Sequence, residues 1–168
     1  MNKMTAAATA TPGRKASNLL ECQTGVIRLF GIADIGQRGL LSGWAFPEEG
    51  HTWNEGYDAA LSISVSAAPA PCMLLIEGEP YVSRQQPVQD ITIYANGHRG
   101  GFWRMSERTE FALLMPIEPE WWFARGNIWT LKLVFHLPNS IRPVDIGDGE
   151  DGREIGFCFR TFQISKAA

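Results

Sequence analysis

The strongest constraint on this chain is a hydrophobic period of two. Ala59, Leu61, Ile63 and Val65 alternate with Ala60, Ser62, Ser64 and Ser66. Ile91, Ile93 and Ala95 alternate with Thr92 and Tyr94, and Phe111, Leu113 and Met115 form a third such face. Trp129, Leu131, Leu133, Phe135 and Leu137 form a fourth, opposite Thr130, Lys132, Val134 and His136. Successive side chains of a strand point to opposite faces, so each segment reads as a strand with one face on a core and one in water. The run 72–76 is apolar on both faces, as a short central strand requires. No segment sustains a helical apolar stripe, and 17 glycines and 10 prolines punctuate the chain. The best helical candidate is one or two turns within 118–124.

Asn96-Gly97 follows a strand directly, and both residues tolerate the positive φ of a type I′ turn, so 90–104 reads as a hairpin. Gly100-Gly101 in its return strand points to a bulge. In the last strand, Ile155, Phe157 and Phe159 share one phase and Phe162 and Ile164 the other. A bulge near Arg160-Thr161 produces such a slip. Many short strands joined by frequent turns predict an all-β chain: a single β-sandwich of jelly-roll type with about eight or nine strands. At 168 residues it fits one domain. The expected division is a disordered N-terminal tail over 1–20 and a β-sandwich domain over 21–168. The Ala/Thr-rich start also admits a transit-peptide reading, but it is poor in Arg and lacks a signal peptide's apolar run.

Net charge is -3, which disfavours nucleic acid as a partner. No apolar stretch is long enough for a membrane span. The cysteines, Cys22, Cys72 and Cys158, are odd in number and far apart, so neither a disulfide framework nor a zinc site is expected. Reduced thiols place the chain in the cytoplasm. His51, His98 and His136 are scattered, without metal-ligand spacing. No catalytic residue, metal or cofactor is implied, and an enzyme is not the expectation. Glu48, Glu49, Glu55, Asp58, Asp145, Asp148, Glu150, Asp151 and Glu154 leave open a glycan-active enzyme with paired acids. The acid-rich loop 145–151 offers oxygens to calcium, without the EF-hand spacing. Arg99, Arg104 and Arg108 form either a solvated face or an edge for anionic sugars or phosphate.

Tryptophan is unusually frequent, with six residues in the chain. A flat indole is a platform for the C–H face of a pyranose ring, and its N–H remains free to donate. Trp129 sits in phase with the core. Trp121 and Trp122 are adjacent, so at least one should stay partly exposed. The candidate ligand-binding residues are Trp53, Asn54, Glu55, Trp103, Trp121 and Trp122, with Trp44, Glu48, Asp151 and Arg153 as structural support. A bidentate Glu48–Arg153 pair would lock down the loop between Trp44 and Trp53.

The segments GWAFPEEGHTWNEGYDAALSI (43–63), ITIYANG (91–97) with the following GFWRM, and DGREIGF (151–157) carry a resemblance. The chain resembles poorly characterised bacterial β-sandwich modules that occur alone or attached to glycosyltransferases and other polysaccharide-synthesis proteins. Gly43, Trp44, Pro47, Glu48, Trp53 and Gly56 fill the first motif, and Asp151, Arg153 and Gly156 the third. His51-Thr52 departs from the Gly and Arg usual before the second Trp. The resemblance implies a non-catalytic carbohydrate-associated module in surface-polysaccharide synthesis, with carbohydrate or a glycosyltransferase as partner. A protein–protein adaptor docking through an apolar patch at Trp121, Trp122 and Phe123 is the alternative. Ligand and oligomeric state are not legible.

Overall fold

The computed structural model describes residues 19–167. Residues 1–18 of the expected tail lie outside the described residues. Twelve strands build the chain: β1 (Leu20–Glu21), β2 (Ile27–Leu29), β3 (Leu40–Ser42), β4 (Thr52–Trp53), β5 (Asp58–Val65), β6 (Cys72–Pro80), β7 (Gln89–Ala95), β8 (His98–Met105), β9 (Phe111–Ile117), β10 (Phe123–Arg125), β11 (Ile128–His136) and β12 (Phe157–Lys166). The long strands are those the alternation marks. The extra ones are two- and three-residue segments, too short to show a period. The helical candidate shrinks to a single 3-10 turn, Pro119–Trp121.

The strands form a seven-stranded sheet, ordered β1-β5-β11-β7-β8 with β3 and β10 at its margins, and a five-stranded sheet, ordered β2-β12-β6-β9 with β4 beside β12. All pairs are antiparallel except β1 with β5. This is a β-sandwich of jelly-roll type. Leu20, assigned to the tail by composition, is 2% exposed and opens β1. Its side chain belongs to the core cluster.

Each sheet buries one face. Leu61, Ile63, Ile91, Ile93, Leu133 and Phe135 meet Leu74, Ile76, Met115, Phe157 and Phe159 from the other sheet. Phe159 sits at the middle of an aromatic cluster, its ring 4.9 Å from Phe135, 4.9 Å from Phe157, 5.0 Å from Trp44 and 5.3 Å from Phe30. Such tilted and edge-to-face contacts add to the area that the rings bury. Trp44 also donates its indole N–H to the Ala60 carbonyl at 2.7 Å.

Both bulges fall where the sequence puts them. The register of β12 on β6 shifts between Phe159 and Thr161, so Phe157, Phe159, Phe162 and Ile164 are all buried despite the change of phase. In the β7–β8 hairpin, Asn96 has φ 47° and Gly97 φ 86°, the conformation of the turn. Gly100 is the extra residue of the return strand. A Cβ there would lie 2.5 Å from the Met115 thioether, so a larger residue would have to push the flexible end of Met115 aside.

Two polar anchors tie the strands at one end. The Asn54 side chain is fully buried and uses both ends of its amide. Its Oδ1 accepts the N–H groups of Gly156 at 2.9 Å and Phe157 at 2.8 Å. Its Nδ2 donates to the Gly56 carbonyl at 2.7 Å and to Ser140 Oγ at 2.9 Å. Asn54 is therefore a structural residue and not a ligand contact. The second anchor crosses from β8 to β7, where Arg104 makes a bidentate pair with Asp90, both bonds 2.8 Å.

Asn54→Ala leaves two buried N–H donors without an acceptor, and urea unfolding should show a loss of roughly 3 kcal/mol. An unchanged midpoint would refute the anchoring role. The hydrogen bonds from Arg104 hold the Asp90 carboxyl below its ordinary value of 3.8. A depressed folded pKa gives stability that is present above the unfolded value and lost as pH falls through the folded one. Unfolding free energy should therefore drop on acidification below about pH 4, and Asp90→Asn should flatten that drop.

Candidate functional site

Strand β4 positions Trp53. It is only two residues long, but Thr52 holds it from beneath. Thr52 is fully buried and donates its hydroxyl to the Phe30 carbonyl. Alternation then turns Trp53 to the outside of the five-stranded sheet. Trp53 pairs with Cys158 of β12, and Cys158 pairs with Glu79 of β6, so the three share one row on that outer face. Cys158 is 4% exposed, and burial pushes its thiol up to about 11. It is a packed thiol, not a nucleophile.

Around this row the structure gathers charged and polar side chains. Glu79 receives Arg108 at 3.2 Å and Arg160 at 3.3 Å. The Arg108 guanidinium lies over the Tyr81 ring, 5.4 Å from its centroid. The Tyr81 hydroxyl donates to Asp148. Burial, then that hydrogen bond, push Tyr81 up to about 12, so the phenol keeps its proton.

Arg153 makes its bidentate pair with Asp151, not with Glu48. Arg153 Nε and Nη2 reach the Asp151 carboxylate at 3.0 and 2.7 Å, and the Arg153 N–H donates to the same group at 2.9 Å. Glu48 stands 3.7 Å from Arg153 Nη1 and 3.3 Å from His51 Nε2. The reason is local: Asp151 is two residues away and is already oriented by the backbone bond, whereas Glu48 must reach from another loop. Glu48, Asp151 and Arg153 thus keep their supporting role with the main partner exchanged. Arg153 holds the Asp151 carboxyl below its usual range.

The other candidates do not join this group. Trp122 is 5% exposed, so it offers no platform to a surface ligand. It lines a cavity of about 360 Å³ with Cys22, Val65, Pro71 and Cys72. Trp121 is half-buried, stacked on His98 with ring centroids 5.2 Å apart, and Asn96 Nδ2 holds its carbonyl at 2.7 Å. These two residues lie at the far end of the sandwich, since Cys72 pairs with Lys166 of β12 while Trp53 pairs with Cys158. At ~3.4 Å per residue the two ends stand roughly 27 Å apart. Trp103 pairs with Ile91 on the core side of edge strand β8 and packs against the core. Glu55 is exposed beside the buried Asn54. With Trp122 sequestered, the continuous apolar patch expected at 121–123 is reduced to Phe123, which is 65% exposed, and part of Trp121.

The half-buried Trp44, Trp103, Trp121 and Trp129 pack against the core cluster, and Trp122 is within it. Trp53 is half-buried like the first four, but it pairs with Cys158 on the outer face instead of packing on that cluster. Sequence reasoning named Trp53 but missed Glu79, Arg160 and Tyr81. The parity of β6 and β12 carries Glu79 outward, yet which strands lie side by side is a long-range fact.

The acids weighed for catalysis are spread among separate partners. Asp58 meets His136 at 2.8 Å, Asp145 meets Arg142 at 3.6 Å, and Asp148 and Asp151 are held as described above. The cavity beside Trp122, the one beside Arg28 and Arg38 and the one beside Trp44 each lack a pair of lining carboxylates. Among the described residues no group of three or more His, Cys, Asp or Glu is placed to hold a metal ion. No helix among them is long and apolar enough to cross a membrane.

No protein-family model matches this chain, and a search of the curated proteins finds no match. Solved structures do match. One is the CBM36-1 domain of a multidomain xylanase from the hindgut metagenome of Trinervitermes trinervoides, with TM-score 0.50 and 9% identity over 85% of this chain and 98% of that one. Another is BtGH115A, a family GH115 4-O-methyl-alpha-glucuronidase with specificity for decorated arabinogalactans. Its TM-score is 0.47 at 10% identity, covering 99% of this chain and 20% of that one. A third is the carbohydrate-binding module CBM36 in complex with calcium and xylotriose, with TM-score 0.42 and 12% identity over 76% of this chain and 87% of that one. The first of these likenesses shows that the chain has the β-sandwich fold of a CBM36 domain.

Proposed function

We propose that this chain is a non-catalytic carbohydrate-binding module whose binding surface is the outer face around Trp53. The observation that carries the reading is the exception that Trp53 makes among the tryptophans: it faces outward beside Cys158, away from the core between the sheets, on a strand tied down at both neighbours. A rigid indole with one part in solvent loses little on stacking against a sugar ring. Glu79, Arg108 and Arg160 stand on the same side with hydrogen-bonding groups, and the buried Tyr81 ring lies under the Arg108 guanidinium. Paired carboxylates and guanidinium groups suit sugar hydroxyls, which need both acceptors and donors. The fold shared with the CBM36-1 domain of a xylanase supports the same reading.

The place of the module in bacterial surface-polysaccharide synthesis, within the cytoplasm, belongs to the proposal and rests on the motifs at 43–63 and 151–157. Gly43 of the first motif has a structural role. It has φ 75°, and a Cβ there would lie 1.8 Å from the Asp58 carbonyl.

The test is a polysaccharide array read with the full chain and with Trp53→Ala. Trp53→Ala should weaken binding by about tenfold or more, with a thermal melt alongside to show that the variant is folded. Binding equal to that of the native chain would overturn the assignment of the surface. Failure to bind any glycan would overturn the function.

A further inference from the structure

We propose that the outer face of the seven-stranded sheet is a second saccharide surface, selective for chains that carry carboxylate groups, such as an oligouronate. The proposal rests on the carbohydrate reading above and adds a ligand class and a separate face. Registers across β8, β7, β11 and β5 place Phe102, Thr92, His136 and Asp58 in one outward row. Arg99, Tyr94 and Val134 form the next row. Lys132 stands two residues from Val134 on the same face. At ~4.8 Å per strand the first row spans roughly 14 Å, enough for more than one sugar ring.

Charge selects the occupant. Of the acids on this face, Asp90 is paired with Arg104, and Asp58 shares a hydrogen bond with His136 at 2.8 Å. Arg99 and Lys132 are exposed, and among the described residues neither forms an ion pair. They flank the half-buried Tyr94 ring. Phe102 is 46% exposed, with the Arg104 guanidinium 6.0 Å from its centroid. Two open cations beside two aromatic rings match a strand of sugar rings with spaced carboxylates. A nucleic acid is a poorer match: it carries a charge about every 1.7 Å of duplex axis, and this protein has a net charge of -3. Gly100 fixes the arrangement, because the bulge takes the extra residue inward against Met115 and leaves Arg99 facing out.

Affinity electrophoresis and calorimetry with an alginate oligosaccharide and a neutral xylo-oligosaccharide test this. The proteins are the full chain, Arg99→Ala/Lys132→Ala, Tyr94→Ala and Trp53→Ala. The alginate oligosaccharide should bind, more weakly as salt is raised. The double variant should lose at least about tenfold in affinity for it, and Tyr94→Ala should lose affinity too. Trp53→Ala should retain that binding, and thermal melts will confirm that each variant is folded. Three results would overturn the proposal: no alginate binding, alginate binding that survives in the double variant, or alginate binding that is lost only in Trp53→Ala. Binding of a neutral glycan through Trp53 with no binding of the alginate oligosaccharide would sink this inference alone. Absence of all glycan binding would sink it together with the proposed function.

Discussion

The site end of this sandwich depends on one buried amide. Asn54 lies in the loop after β4, yet its side chain reaches two N–H groups at the start of β12 and a hydroxyl more than eighty residues away in sequence. Loops of a sandwich ordinarily run over the surface, where water satisfies their backbone. Here three of them meet in a dry place, and each polar group needs a protein partner. Asn54 supplies them with a donor end and an acceptor end in one rigid plane. The consequence falls on the preceding residue: Trp53 is held to β12 on one side of the chain and anchored by Asn54 on the other. A platform that does not move is what makes an exposed ring useful.

The sheets were legible because burial writes a period of two into any strand with one wet face. The β12 bulge was legible for the same reason, since an extra residue shifts the phase between Phe159 and Phe162, and the β8 bulge was legible from its Gly100-Gly101 pair. The site was legible only in part. Asn54 reads as a surface amide because no local pattern distinguishes a solvated asparagine from one whose partners lie at positions 140 and 156. Trp103 and Trp122 read as free rings because their burial is decided by strands and loops that pack against them from elsewhere. The Glu48–Arg153 clamp failed on proximity: an acid two residues away, already oriented by a backbone bond, outcompetes one from another loop. The Trp53 surface and the Trp121 stack were grouped by residue type, and only pairing along β12 shows them at opposite ends.

Six tryptophans might suggest six platforms, but stability and recognition place opposite demands on an indole. A ring that packs against the core, as Trp44 does on Phe159, contributes area and dispersion to folding and cannot be surrendered to a ligand. A ring outside the core contributes little to folding and keeps its face for a partner. The distinction sets Trp53 apart from the other tryptophans by its neighbours and not by its type. Substitutions that harm binding and substitutions that harm folding should therefore separate cleanly around this residue, although Thr52 and Asn54 adjoin it.

The two outer faces differ in the ligand chemistry they can accept. Away from Trp53, the five-stranded sheet presents Ile27, Leu29 and Leu114, exposed at 60, 47 and 54%. A sugar laid there would cover hydroxyls without pairing them, which costs free energy for each group desolvated. The outer face of the seven-stranded sheet carries guanidinium, ammonium and imidazole groups between its rings, so hydroxyls and carboxylates find donors as they leave water. The two outer faces thus differ in polarity: one is largely apolar away from Trp53, and the other sets exposed cations between its rings.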